Sequence, residues 1–300
     1  MEPGAIPASF LQKDKIRKKG SGILKKNVLY VSDLDGTLLD SKKRITPYTA
    51  NVLNQCIQKG MKFAVATARM PYGCDYRLQE IRMDTPGIVT NGVFLYDFKE
   101  KKIISAEEIE KESAEQVIKA FEKHGMSCFV YIFSEGSISL YYGDKTLEEQ
   151  TQYYSDRALE ACRKIVCTDH LPDAFQEGQV AYITYTGEKE KLEPVCRELD
   201  QIPDIDYSFY LNIYNGWYCL EIFSKKASKK NALLKLKELI HCDEIVVFGD
   251  NFNDLSMIEL SDRSCAPANA LPEVKECVTE VLDDCDHDGV AKFLAKEWKL

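Results

Sequence analysis

"YVSDLDGTLLDS", residues 30–41, is the stretch on which the fold turns. An unbroken apolar run, Val28, Leu29, Tyr30 and Val31, leads into it, the pattern of a strand buried on both faces. Two aspartates, Asp33 and Asp35, stand one residue apart where that run ends, and Gly36-Thr37 follows. Carboxylates so close repel each other unless a cation lies beside them. The plain alternative is a turn, since Asp and Gly are common turn residues and one carboxylate can cap a helix. A D-x-D-G-[ST] match arises by chance in roughly 1% of chains of this length, and a buried strand directly before it makes it rarer.

Outward from this stretch, strands and helices alternate. Thr46-Pro47 reads as a helix start, with Thr as N-cap and Pro at the first helical position; Val52, Leu53 and Ile57 share a face, and Gly60 ends the helix. Phe63–Ala66 reads as the next strand, Pro71–Arg82 as a second helix and Ile88–Thr90 as a third strand. The rhythm returns later: Ser228 caps a helix, Ile245–Phe248 is a buried strand ending in Gly249-Asp250, and Val290–Trp298 closes the chain as a helix. Alternation of this kind predicts a parallel sheet covered on both faces, a doubly wound α/β core. Between the halves, Phe129–Phe133, Ser137–Tyr142 and Val180–Tyr185 look like antiparallel strands, with helices expected near 111–124, 147–163 and 188–199. This tyrosine-rich middle reads as an inserted α+β domain, and its tyrosines as core more often than as ligand contacts.

Bulk properties narrow the function. A formal charge of −9 argues against nucleic acid or an anionic membrane as the main partner. No run of 18 apolar residues suggests a membrane span. The first 26 residues are basic, with Lys13, Lys15, Arg17, Lys18, Lys19, Lys25 and Lys26, and read as a flexible arm rather than a presequence. The 11 cysteines are odd in number and form no Cys-x-x-Cys, which favours buried thiols in a reducing compartment over zinc or disulfides. A cytoplasmic protein is expected.

A second acidic cluster, Gly249-Asp250-Asn251-Phe252-Asn253-Asp254, also follows a predicted strand. Hard oxygen ligands after two parallel strands suit Mg²⁺. Thr67 closes "KFAVATAR" 34 residues after Asp33, the span of one βαβ unit, where its hydroxyl could hold phosphate oxygens. Lys229 stands at a helix N-terminus, an unfavourable place for a cation unless an anion is near.

Taken in order, "DLDGTLL", "ATAR", "SKKNAL" and "GDNFNDLSMI" resemble the four motifs of the haloacid-dehalogenase-like (HAD) phosphohydrolases, in particular the Cof-type branch with a large α+β cap; the likeness runs from about residue 27 to the end. It implies a Rossmann-like core at 27–94 and 223–300 with a cap at 95–222 that selects substrate. The implied activity is Mg²⁺-dependent hydrolysis of small phosphorylated metabolites such as sugar phosphates, by a monomer or small homo-oligomer. Asp33 would be the nucleophile that forms an aspartyl-phosphate, and Asp35 the general acid and base. Thr67, Lys229 and Asn253 would bind phosphate. The metal would be held by Asp33, the Asp35 carbonyl and Asp250, with Asp254 assisting. The alternatives are a phosphosugar mutase of the same fold and, less favoured, a non-catalytic binding module. Ala68, Lys230, and Pro267-Ala268 before Asn269 depart from the family pattern without removing a chemical group. Arg69 either faces the site or forms a surface ion pair. Asn91-Gly92 is expected to begin the hinge into the cap, and Asp288-Gly289 either packs near the site or is a helix-entry turn.

Overall fold

The computed structural model describes residues 27–143, 161–212 and 216–300. The basic arm, most of the helix expected at 147–163, and Tyr153, Tyr154 and Tyr214 lie outside them. The chain divides into two compact units. One holds the described residues up to Ala66, Glu80–Thr85 and Leu234–Leu300; the other holds Thr67–Gln79 and Pro86–Leu233.

The first unit is built on a five-stranded parallel sheet: β1 (Val28–Ser32), β2 (Lys62–Val65), β12 (Glu244–Phe248), β13 (Arg263–Pro267) and β14 (Glu280–Leu282), in the order β14-β13-β12-β1-β2. The central strands β1 and β12 are buried almost throughout, as their apolar runs require. Helix Pro47–Gln58 starts as its sequence dictates: Thr46 accepts a hydrogen bond from the Thr49 N–H, and Pro47 needs no donor. Gly60, at φ +95°, takes the left-handed conformation just past its end. This helix packs against the closing helix, Gly289–Trp298. Asp288 ties them together, accepting from the hydroxyls of Thr46 and Thr49 (2.8 Å from Thr49). Asp288-Gly289 is therefore a helix entry that also anchors the start of another helix.

The second unit holds two sheets. The six-stranded one comprises β6 (Phe129–Ser134), β7 (Ser137–Tyr142), β8 (Cys162–Cys167), β9 (Gln179–Gly187), β10 (Ile205–Leu211) and β11 (Tyr218–Ser224), in the order β10-β11-β9-β6-β7-β8. Helices Lys111–Lys123 and Lys189–Leu199 supply Ala114, Val117, Ile118 and Phe121, and Leu192, Val195, Cys196 and Leu199, to its core. Both sets follow the i, i+3, i+4, i+7 spacing of one helical face. Tyr131, Tyr141, Tyr142 and Tyr182 are buried, and Tyr185, Tyr207 and Tyr218 pack on the core, so most described tyrosines of this unit are structural.

Three expectations need correction. The strand expected at Ile88–Thr90 is β3 (Gly87–Val89), and it does not join the parallel sheet. It pairs antiparallel with β4 (Phe94–Asp97), which pairs with β5 (Lys102–Ala106), because Asn91-Gly92 turns the chain straight back. The helix expected at Pro71–Arg82 stops at Leu78. Asn54 takes the main-chain groups beyond it, donating to the Glu80 carbonyl and accepting from the Arg82 N–H, both at 2.8 Å. Cys162 and Arg163, at the end of the helix expected at 147–163, belong to strand β8, which runs parallel to β7.

Removing the Asp288 carboxylate deprives two hydroxyls of their acceptor. Asp288→Ala is expected to lower unfolding free energy by about 2 kcal/mol, and Asp288→Asn, which keeps an acceptor and tolerates φ 57°, by less. Thermal or urea unfolding of the two variants beside wild type checks this; equal midpoints for all three would show the tie to be without weight.

Candidate active site

The site in the first unit follows from strand register. In the parallel pair, Ser32 stands opposite Phe248. The next residue, Asp33, continues the ladder by donating its N–H to the Phe248 carbonyl at 2.9 Å. Asp33 and the Gly249-Asp250 turn therefore emerge side by side at the carboxyl ends of adjacent strands. Asp254 joins them from the turn Phe252–Asp254. Ligand oxygens of Asp33, Asp250 and Asp254 all lie within 4.8 Å of one another. Asp33 is 6% exposed and Asp254 is fully buried.

The loops around the cluster are shaped by it. One Asp254 carboxylate oxygen accepts from the N–H groups of Asp250 and Asn251, at 3.0 and 3.2 Å, and Asn251 caps the same turn. Asp250 accepts from the Thr37 hydroxyl at 2.9 Å. It also lies so close to Gly36 that a Cβ there would stand 2.4 Å from an Asp250 oxygen, at φ +85°. Only glycine meets both conditions. Asn269 holds the other side of that turn, donating to the Gly36 carbonyl at 2.7 Å and accepting from the Cys285 N–H at 2.9 Å. The Asp35 side chain pairs with Lys43 Nζ at 3.1 Å.

Three carboxylates with two of them buried are costly unless a cation compensates them. The donor set is all oxygen, with no imidazole or thiolate, which fits a hard divalent cation and not zinc. A cation there could be held by Asp33, Asp250 and Asp254.

Thr67 and Lys229 belong to the second unit. Both are buried, at 1% and 2% exposure. A single turn links them: Asn91 donates its N–H to the Thr67 carbonyl at 2.9 Å, and a Cβ on Gly92 would lie 3.0 Å from the main-chain nitrogen of Lys229 and 2.3 Å from the Ser228 carbonyl oxygen. Thr90, Asn91 and Gly92 all take positive φ, at 52°, 51° and 99°. For a β-branched residue such as Thr90 that conformation is strained, and such strain concentrates at functional sites. Arg69 is half-buried, and its main chain bonds Thr67 Oγ1 and the Thr90 N–H. Asn253 is exposed. Sequence reasoning gave no role to Thr37 or Lys43. Thr37 was visible inside the D-x-D-G-[ST] pattern, whereas nothing but charge marks Lys43 in "DSKKRI".

The model of the haloacid dehalogenase-like hydrolase family matches residues 30–294. The chain belongs to that family. Among relatives of this hydrolase, the pyridoxal phosphate phosphatase YbhA of Escherichia coli is 26% identical over 275 residues, covering 87% of this chain and 95% of its own. The 5-amino-6-(5-phospho-D-ribitylamino)uracil phosphatase YwtE of Bacillus subtilis is 25% identical over 280 residues, with coverage of 87% and 95%. The crystal structure of TM0651 from Thermotoga maritima shares the fold, with a TM-score of 0.69 at 23% identity, over 89% of this chain and 96% of that one. This hydrolase is thus an enzyme related along almost its whole described length to phosphatases. No described helix is long and apolar enough to cross a membrane, and none of the 11 cysteines is in a disulfide.

If the cluster binds a divalent cation, MgCl₂ should raise the thermal midpoint of the wild-type protein by mass action. Gly36→Ala, which pushes against Asp250, should reduce that increment at least twofold, and Asp250→Ala should abolish it. A scanning-fluorimetry series in MgCl₂ and EDTA reads both; an increment unchanged in Asp250→Ala would place the cation elsewhere.

Proposed function

We propose that this hydrolase is a Mg²⁺-dependent phosphatase of small phosphorylated metabolites, working through an aspartyl-phosphate on Asp33. The observation that carries the reading is the convergence of Asp33, Asp250 and Asp254 at the ends of β1 and β12. Residues 27–94 and 223–300 act as the catalytic core and 95–222 as the substrate-selecting cap. Asp33, the Asp35 carbonyl and Asp250, with Asp254 in support, would hold Mg²⁺, whose charge would offset the charge that builds on the transferring phosphoryl group.

The chain's own residues carry the steps. The Asp33 carboxylate attacks phosphorus in line, and the ester oxygen leaves with a proton from the Asp35 carboxyl. Water then attacks the aspartyl-phosphate while the Asp35 carboxylate takes a proton from that water, which frees inorganic phosphate and restores Asp33. Thr67 and Lys229 bind the non-bridging oxygens, Lys229 as a buried cation at a helix start, and Asn253 adds a hydrogen bond. Two carboxylates two residues apart thereby hold different tasks, one covalent and one in proton transfer.

The names of the two curated relatives support a compact phosphomonoester whose non-phosphate part is small. Sugar phosphates and phosphorylated heterocycles are both of that class. Cysteines outside disulfides favour the cytoplasm as the place of action.

Phosphate release from a panel of phosphorylated metabolites, with Mg²⁺ or EDTA, tests the reading. Release should require the metal, fall at least 10³-fold in Asp33→Asn, and fall about 10²-fold or more in Asp35→Asn. Turnover that survives Asp33→Asn would refute the covalent step.

A further inference from the structure

The second unit contains a cavity of about 260 Å³ that the proposed chemistry does not use. Its walls come from helix Pro71–Leu78, from β4 and β5, and from the β6–β7 hairpin with Cys162 beside it. The volume lies just below the usual range of small-molecule pockets, room for one ring with a short polar end. Tyr72, Tyr96 and Tyr131 line it, together with Ile103 of β5 and Ile138 of β7. Tyr96 and Tyr131 are each 5% exposed and held by edge-on contacts with Phe98 and Tyr182, at centroid distances of 5.0 and 5.4 Å. Such walls favour an aromatic guest.

Two opposite charges mark its polar end. Asp75 is half-buried and accepts from the Tyr96 hydroxyl at 3.0 Å. Burial raises its pKa, and the Tyr96 bond and the charge of Lys101 pull it back in part. Lys101, in the turn between β4 and β5, also lines the cavity and is exposed. A bare cation would be drawn by Asp75 and repelled by Lys101; a bare anion would meet the reverse. A guest with both a donor and an acceptor satisfies each. Cys162 lends no reactivity, since burial pushes its thiol up to about 11 and leaves it protonated at neutral pH.

We propose that this cavity is a binding site for a small aromatic zwitterion of the aromatic amino-acid type, with its ammonium toward Asp75, its carboxylate toward Lys101 and its ring among Tyr72, Tyr96 and Tyr131. The proposal rests on the lining of this cavity alone, and it holds whether or not the catalytic reading does.

Calorimetric titration of the intact protein with L-phenylalanine, phenethylamine and 3-phenylpropionate tests this without reference to turnover. L-phenylalanine should bind at least threefold more tightly than either analogue. Asp75→Asn should remove its advantage over 3-phenylpropionate, and Lys101→Met its advantage over phenethylamine, while melting curves show both variants folded. Tyr96→Phe, which keeps the ring and loses the hydroxyl, should weaken binding less than Asp75→Asn. Absence of saturable heat with L-phenylalanine, equal affinity for all three probes, or affinities indifferent to both charge variants would each overturn the proposal.

Discussion

The parallel pairing of β1 with β12 is the constraint on which the first unit depends. Strands more than two hundred residues apart must meet with Ser32 opposite Phe248, because only then does the Asp33 N–H reach the Phe248 carbonyl. A slip of one residue would turn every side chain of β1 to the other face and take Asp33 from its partners. The other details assume that register. Gly36 has no side chain because Asp250 occupies the space, Thr37 and Asn269 fasten the turn from two sides, and Asp254 spends one oxygen on the main chain that presents Asp250. The apolar burial of the strands thus fixes three like charges in place, and a divalent cation would turn that arrangement from a liability into an affinity.

The second unit solves a different problem with turns. Its smaller sheet turns from β3 into β4 where Thr90, Asn91 and Gly92 adopt left-handed conformations in succession, a sequence of dihedrals that an isolated chain would avoid. Main-chain bonds from Thr90 to Arg69, from Asn91 to Thr67 and from Val93 to Thr90 hold it. The same turn abuts the main chain at Ser228 and Lys229, where a side chain on residue 92 would have no room. Two buried polar residues, Thr67 and Lys229, are thereby fixed through one strained tripeptide.

Much of this was legible in the sequence, and the reasons are local. The strand at Val28, the capped helix at Thr46-Pro47, the acidic turn after Phe248 and the amphipathic helices at 111–123 and 189–199 announce themselves by run length, cap chemistry or period. The family match over 30–294 agrees with the motif order. The errors arose where distant contacts override local signals. Nothing in "RLQEIR" says that Asn54 will capture the groups that would continue the helix. Ile88 reads as one more buried strand, and its sheet partner is decided by the turn that follows. Lys43 pairs with Asp35 only because its own turn folds back, bound by Asp40 and Arg44. β10, β11 and β8 mix polar with apolar residues and lack the unbroken apolar run that marks β1 and β12.

The division of the chain has an evolutionary corollary. The backbone passes from one unit to the other after Ala66, Gln79, Thr85 and Leu233, and the last of these points lies inside the helix Lys229–Ile240. A domain gained by a single insertion could be exchanged between relatives as one cassette with one pair of junctions. Here a transplant of the second unit would need two pairs, one around Thr67–Gln79 and one around Pro86–Leu233, with the final splice in mid-helix. Recombination at the borders of the middle segment alone would leave the Thr67–Gln79 piece matched to a foreign partner. Drift by substitution within the unit is accordingly an easier route to change than wholesale replacement.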